Sequence, residues 1–233
     1  MTDNKTNTKQ PAPAAKNQDF DLQHTADKAQ DFYTKNKNVI NIGLLAVVVI
    51  IGGFFGYNRF VKAPNEKKAQ EAIFGAQNFF AVDSFKLALN GDGNTYGFLQ
   101  VIDKYGGTKA GNLAKYSAGV CYVKLGDYQK GIDQLKAFSS SDLVIQSLAN
   151  GLIGDAYMEL NKTDDAVSYY KKAGAADNML TSPIYLLRAG LALEKANKPQ
   201  DAIAVYEQIK QKYPQTNEGR EIEKYLARLG VVK

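Results

Sequence analysis

Few side chains in this sequence are typed for chemistry, and none has the neighbours that chemistry needs. His24 is the single histidine and Cys121 the single cysteine. A cysteine nucleophile needs an imidazole within hydrogen-bond reach. His24, however, lies in a polar N-terminal stretch, while Cys121 stands beside Tyr122 on an apolar helical face and reads as core. A structural zinc draws four ligands from Cys and His, and the chain offers two in separate regions. The run Asn90-Gly-Asp-Gly-Asn94 resembles the start of a calcium loop. Such a loop needs glycine at its sixth position and a bidentate glutamate at its twelfth. Thr95 and Val101 stand there, so the run reads as a turn. There is no HExxH, GxSxG or phosphate-binding glycine loop, and Asp and Glu are scattered over helical faces. The expectation is a non-enzyme with no cofactor and no metal.

The spacing that does recur belongs to small residues. Ala118-Gly119, Tyr122, Gly131 and Leu135 form one set; Ile153-Gly154, Tyr157, Ala166 and Tyr170 a second; Ala189-Gly190, Leu193, Ala202 and Tyr206 a third. The glycines are 35 and 36 residues apart. In each set a large residue follows the glycine by three, a small one by twelve and another large one by sixteen. That is the helix–turn–helix pattern of a tetratricopeptide repeat (TPR), whose unit is about 34 residues and which builds binding surfaces. The fold class expected is all-α: one N-terminal transmembrane helix, then an α-solenoid of about four helix pairs with a capping helix.

The apolar run Val39–Tyr57 reads VINIGLLAVVVIIGGFFGY and carries no charge. At 1.5 Å rise it spans about 28 Å, close to the hydrocarbon thickness of a bilayer. It starts late and exceeds a signal-peptide h-region, and Asn58-Arg59 follow it instead of a small-residue cleavage site. Phe32 and Tyr33 precede the run, and Phe54, Phe55, Tyr57 and Phe60 close it, as in interfacial aromatic belts. Gly52 and Gly56 form a GxxxG pair, which either lets two such helices meet in a homodimer or is ordinary glycine content of a membrane helix. Flanking cations are nearly even: Lys28, Lys35 and Lys37 before the run, Arg59, Lys62, Lys67 and Lys68 after it. The net charge of +5 is spread along the chain. It has no basic block of the nucleic-acid-binding kind and suits weak attraction to anionic headgroups.

Four segments follow from these patterns. Residues 1–38 form a flexible tail whose part 20–38 is either a short interfacial helix or a tether, 39–57 the transmembrane helix, 58–64 a linker, and 65–233 the repeat domain. Its units fall at about 65–109, 112–140, 147–178 and 183–214, with a cap at 217–229. The first is degenerate: Phe98, Val101 and Tyr105 match Tyr206, Ile209 and Tyr213, and a longer loop separates its two helices. Within units, Gly119 faces Gly131, Gly154 faces Ala166 and Gly190 faces Ala202. The large residues, Tyr122, Tyr157, Tyr170 and Tyr206 among them, fill the gap to the next unit, and Pro214 belongs to the packing of the last pair. First helices line the concave face, which assigns Tyr116, Val120, Val123, Asp155, Met158, Leu187, Leu191 and Glu194 to a largely apolar partner-binding groove.

The order of parts resembles the ancillary Sec-translocon-subunit family. The resemblance covers about 20–230 and includes Asp31-Phe32-Tyr33-Thr34-Lys35-Asn36, the anchor and Asn94-Thr95-Tyr96-Gly97. Through NGDGNTYGFLQVIDKYGGTKAGNLAKY the chain also resembles tandem-TPR envelope proteins of the Bacteroidetes. These resemblances imply a single-pass protein of the bacterial inner membrane, its repeats in the periplasm, with translocon or periplasmic chaperone components as partners.

The seam between paired helices is testable from spacing alone. Ala166→Leu should overpack it and cost about 1–3 kcal/mol, read as a lowered melting temperature; an unchanged one would misplace Ala166.

Overall fold

The structure is a computed structural model and describes residues 22–231. The expected tail up to residue 21 lies outside the described residues. Two compact units divide the chain, one up to Gly56 and one from Tyr57 onward.

The first unit is the helix α1 (Leu22–Tyr57). It starts well before the apolar run, so residues 22–38 are not the tail with a separate short helix that their polarity suggests. No glycine or proline interrupts 27–38. Thr34 and Asn36 bond back to the carbonyls of Gln30 and Phe32 one turn earlier and do not break the ladder. From Val39 on, the large apolar side chains stand exposed. The most apolar 18-residue window has a mean hydropathy of 2.5 and none of it is buried. Among the described residues, this is the one helical stretch long and apolar enough to cross a membrane.

The second unit is an all-α solenoid. It opens with a π-helical turn, Asn58–Lys62, so the expected linker is helical. Pro64 falls one turn later, inside backbone that is already helical, so its missing N–H removes one bond of the ladder next to the π-helical turn. The helix around it is α2 (Ala63–Ala81), followed by α3 (Phe85–Asn90), α4 (Phe98–Tyr105), α5 (Lys109–Lys124) and α6 (Tyr128–Ala137). Then come α7 (Leu143–Glu159), α8 (Thr163–Gly174), α9 (Ser182–Lys195), α10 (Pro199–Lys212) and α11 (Asn217–Arg228). Consecutive helices pack on one another from α4 to α11.

One turn joins the two helices of every pair. Gly126, Asn161 and Asn197 take positive φ of 84°, 57° and 55°. The next N–H then reaches back to the carbonyl of Tyr122, Tyr157 or Leu193, each at 2.9 Å. This is the left-handed helix stop that glycine and asparagine tolerate. The large residue three after each glycine thus also anchors the turn. Asp83 repeats the arrangement, with φ of 55° and Ser84 N–H on the Phe79 carbonyl at 2.9 Å. That equates Ala76 with the glycines and pairs α2 with α3.

The first unit therefore differs from its expected form. The extra residues do not lengthen the inter-helix loop; they interrupt the second helix, splitting it into α3 and α4. Ala88 keeps the small position twelve after Ala76, and Phe98, fully buried, takes the large one late. The intervening turn is held by Asp92, whose Oδ1 accepts the N–H groups of Asn94 and Thr95 at 3.0 and 2.7 Å. Those bonds also hold the Asp92 carboxyl below its ordinary range. A second shared motif builds the entries to α5 and α11. Thr108 and Thr216 each donate to a tyrosine carbonyl three residues back, Tyr105 and Tyr213, and accept the N–H of Gly111 and Gly219. The cap helix α11 buries Ile222 and Leu226.

The seam itself is glycine under a ring. A Cβ on Gly154 would lie 2.6 Å from Tyr170 Cδ1, and one on Gly190 2.1 Å from Tyr206 Cε1. In the second pair Gly119 meets Leu135 and the Gly131 carbonyl. The large residue sixteen on therefore covers the glycine of its own unit, where spacing alone assigned it to the gap before the next. Tyr206 and Ile132 are fully buried and Leu135 nearly so; side chains of this size contribute about 1.5–3 kcal/mol each.

Helix propensity and packing make opposite predictions at Gly190. Alanine gains about 1 kcal/mol of propensity but drives its methyl into a ring pinned at both ends. Gly190→Ala should lower the melting temperature. A rise would show that Tyr206 moves aside freely.

Candidate functional site

The A helices α5, α7 and α9 present the residues assigned to the groove. Asp155 and Met158 of α7 and Leu191 of α9 line one open groove of about 660 Å³, together with Glu159, Tyr170, Arg188, Ala192 and Lys195. The other assigned residues serve packing more. Tyr116 is half-buried against Phe138, ring centroids 5.2 Å apart. Val123 is half-buried with its Cγ2 at the Gly131 seam, and Leu187 is half-buried on the core. Val120 is half-buried. Leu191 is the one with substantial exposure, 40 %.

The charges differ from expectation. Glu194 is not a free groove charge: it accepts hydrogen bonds from the Tyr206 phenol and from Arg228 on α11, and only 19 % of its side chain is exposed. Asp155 is likewise engaged, accepting from Tyr170 at 2.7 Å and from Arg188 at 2.6 and 2.7 Å. The groove is thus balanced and polar-rimmed, with Arg188 and Lys195 against Asp155 and Glu159.

These bonds form a ladder whose tyrosines are 36 residues apart, one repeat, while its carboxylates, 39 apart, do not keep that register. A tyrosine of a B helix donates to a carboxylate on its own A helix, and an arginine from the next first helix closes the link. Tyr170–Asp155–Arg188 and Tyr206–Glu194–Arg228 are successive rungs. Burial, reinforced by the carboxylate each phenol faces, pushes Tyr170 and Tyr206 well above the ordinary range and keeps them donors. On the other side Lys198 pairs with Asp164 at 2.6 Å. Lys212 and Tyr213 both meet Asp177 at 3.3 and 2.7 Å, holding its carboxyl below the usual range. Pairs this exposed are screened by solvent and contribute little to stability.

Sequence reasoning passed over one row. Leu113, Leu148 and Ile184 each stand six residues before the glycine of their unit, and each is exposed, at 42, 37 and 37 %. Their spacing of 35 and 36 matches that of the glycines and was the signal available. The remaining assignments fall on packing positions. Gly119, Gly131, Gly154, Tyr157, Ala166, Tyr170, Gly190, Ala202 and Tyr206 are buried, Tyr122 is half-buried and Pro214 is exposed. In α1, a Cβ on Gly52 or Gly56 would meet nothing within 4 Å.

No cluster of three or more His, Cys, Asp or Glu able to hold a metal occurs among the described residues. The side chain of His24 falls outside them. Cys121 is fully buried, and that burial raises its thiol to about 12. Because the thiolate is the reacting form, Cys121 should resist iodoacetamide at pH 8 in the folded protein and label fully in denaturant. Rapid native labelling would contradict its place in the core.

Comparison with known proteins agrees with this architecture. Residues 152–216 match the tetratricopeptide repeat family, which takes in the α7–α10 pairs. No curated protein matches the chain. Among solved structures, the "MamA RS-1 ArsTM double mutant" is 15% identical, with a TM-score of 0.50 over 85% of this chain and 96% of that one. At that identity the likeness is one of fold, and what it and the family match establish together is a helical solenoid carrying tetratricopeptide-type repeats.

Proposed function

We propose that this protein is a membrane-anchored, non-enzymatic adaptor that holds a protein partner in the groove of its repeats. The observation that carries the reading is the groove around Asp155, Met158, Arg188 and Leu191, continued by the periodic row Leu113, Leu148 and Ile184. Exposed apolar anchors at repeat spacing, rimmed by charges of both signs, suit an extended or helical protein segment. The exposed apolar length of α1 supports a single bilayer span. An anchor raises the effective concentration of a weakly held partner. The resemblance drawn from the sequence makes the membrane the bacterial inner membrane, the repeats periplasmic, and export or chaperone components the partners.

A second reading is self-association. Gly52 and Gly56 lie on α1 with open space at both Cβ positions, as a helix–helix contact requires. Under it, a crosslinked dimer is lost in Gly52→Leu.

A photocrosslinking residue at Leu148 or Leu191 in cells, followed by mass spectrometry of the adducts, separates the readings. Export or chaperone adducts support the first, and adducts of the protein with itself the second. Leu191→Asp should abolish capture and change stability by no more than about 0.5 kcal/mol, as exposed substitutions do. Leu187→Asp should lower the melting temperature, because it places a charge against the core. Equal destabilisation by both would remove Leu191 from the binding face.

A further inference from the structure

The basic residues after the apolar run have a use that the groove does not absorb. Arg59, Lys62, Lys67 and Lys68 follow it closely in sequence, are exposed, and make no ion pair among the described residues. The fold adds a cation from far along the chain. A cleft of about 120 Å³ is lined by Tyr57, Lys62, Asn65, Lys104, Tyr105, Gly107 and Thr108. Lys62 and Lys104 are brought to one small concavity, with the Asn65 amide and two phenols among its lining groups.

Lys104 is held in place. Its Nζ donates to the Tyr96 phenol at 2.6 Å and lies 4.2 Å from the centre of that ring. Lys115 of α5 reaches the loop before that helix, its Nζ 3.4 Å from the Gly106 carbonyl. Two carboxylates nearby offset part of this charge, and neither has a side-chain ion pair with the cleft lysines. Glu66 is engaged by the first turn of α5, accepting the N–H groups of Lys109 and Ala110 at 2.9 and 3.3 Å. Asp103 is exposed on α4 and acts on Lys104 only through space. Beside the cleft in sequence, Phe60 is 80 % exposed and Val61 44 %.

We propose that this cleft binds the phosphate headgroup of an anionic phospholipid, with Lys62 and Lys104 as its cations and Phe60 and Val61 reaching toward the acyl region. The inference rests on the reading of α1 as a membrane span. Three features favour a lipid. Tyr57, which ends the apolar run, itself lines the cleft. The cations gather where a span meets the headgroups, and the adjacent exposed side chains are apolar. A cleft this small takes a phosphate with its donors, not a length of peptide.

The test uses the full chain reconstituted in nanodiscs of equal phosphatidylglycerol and phosphatidylcholine, then released for native mass spectrometry of retained lipid. Phosphatidylglycerol should be retained preferentially, and Lys62→Gln with Lys104→Gln should reduce that preference by about fivefold for each lysine removed. Lys86→Gln, remote in sequence and also exposed, should leave it unchanged. Failure of the chain to enter nanodiscs would overturn the span itself. Insertion with equal retention of the two lipids, or a preference that survives the double substitution, would overturn the cleft alone.

Discussion

Everything in the repeat unit depends on two helices approaching closely enough for a tyrosine ring to lie on a glycine. Tyr170 covers Gly154 and Tyr206 covers Gly190 at distances that leave no room for a methyl group. Each contact does two jobs. It buries a large ring, and it brings the phenol to a carboxylate on the facing helix, Asp155 or Glu194. The carboxylate is thereby oriented to take an arginine from the next unit. Packing inside one pair therefore sets the electrostatic contact between pairs. In the second unit Leu135 covers Gly119 and has no hydroxyl to offer, so the ladder has no rung there. The core divides at the same place, with buried residues through Cys121 in one cluster and those from Ile132 in the other.

That arrangement decides what remains for a partner. Charges used to stack the units are not available to recognise a ligand, so Glu194, paired and mostly covered, is withheld from a partner. Leu191 and the row Leu113, Leu148 and Ile184 have no such duty and stay exposed. A solenoid built in this way presents its free side chains at intervals set by the repeat, which favours a partner long enough to touch several units. Such binding is spread over many weak contacts and gains from a rigid frame, because the frame loses little entropy on binding.

Much of this was legible in the sequence, and the reasons differ by element. Glycines at intervals of 35 and 36 mark the seam because only a missing side chain permits the approach; their positions carry the architecture without further information. Gly126 and Asn161 mark turns for a similar local reason, a backbone conformation that few residues accept. The split second helix of the first unit was harder to read. Its Asn90–Asn94 turn was visible, but whether extra residues fall between helices or within one depends on which small residue equals the glycine. Ala76 does so, and alanine is too common to announce it. The partners of Asp155 and Glu194 were hidden for another reason: Arg188 and Arg228 lie 33 and 34 residues away, and only the completed stack brings them together. The helical state of 22–38 and 58–62 is hidden in the sequence because polar composition there suggests irregular backbone. Residues 27–38 lack both glycine and proline, so nothing in them stops a helix already begun.

The division of labour between the two units follows from these constraints. A groove whose charges are mostly paired within the fold offers modest affinity, since the exposed anchors are few and their rim is balanced. Stronger capture would require either more apolar exposure, which invites aggregation, or unpaired buried charge, which the stack cannot tolerate. Confinement to a bilayer avoids both. On the reading of α1 as a span, the anchor supplies local concentration that the groove does not have to supply through contacts. The groove can then remain weak enough to release its partner and rigid enough to select it. On that reading the repeat geometry would set the selectivity and the apolar helix the encounter, so each could change without dismantling the other.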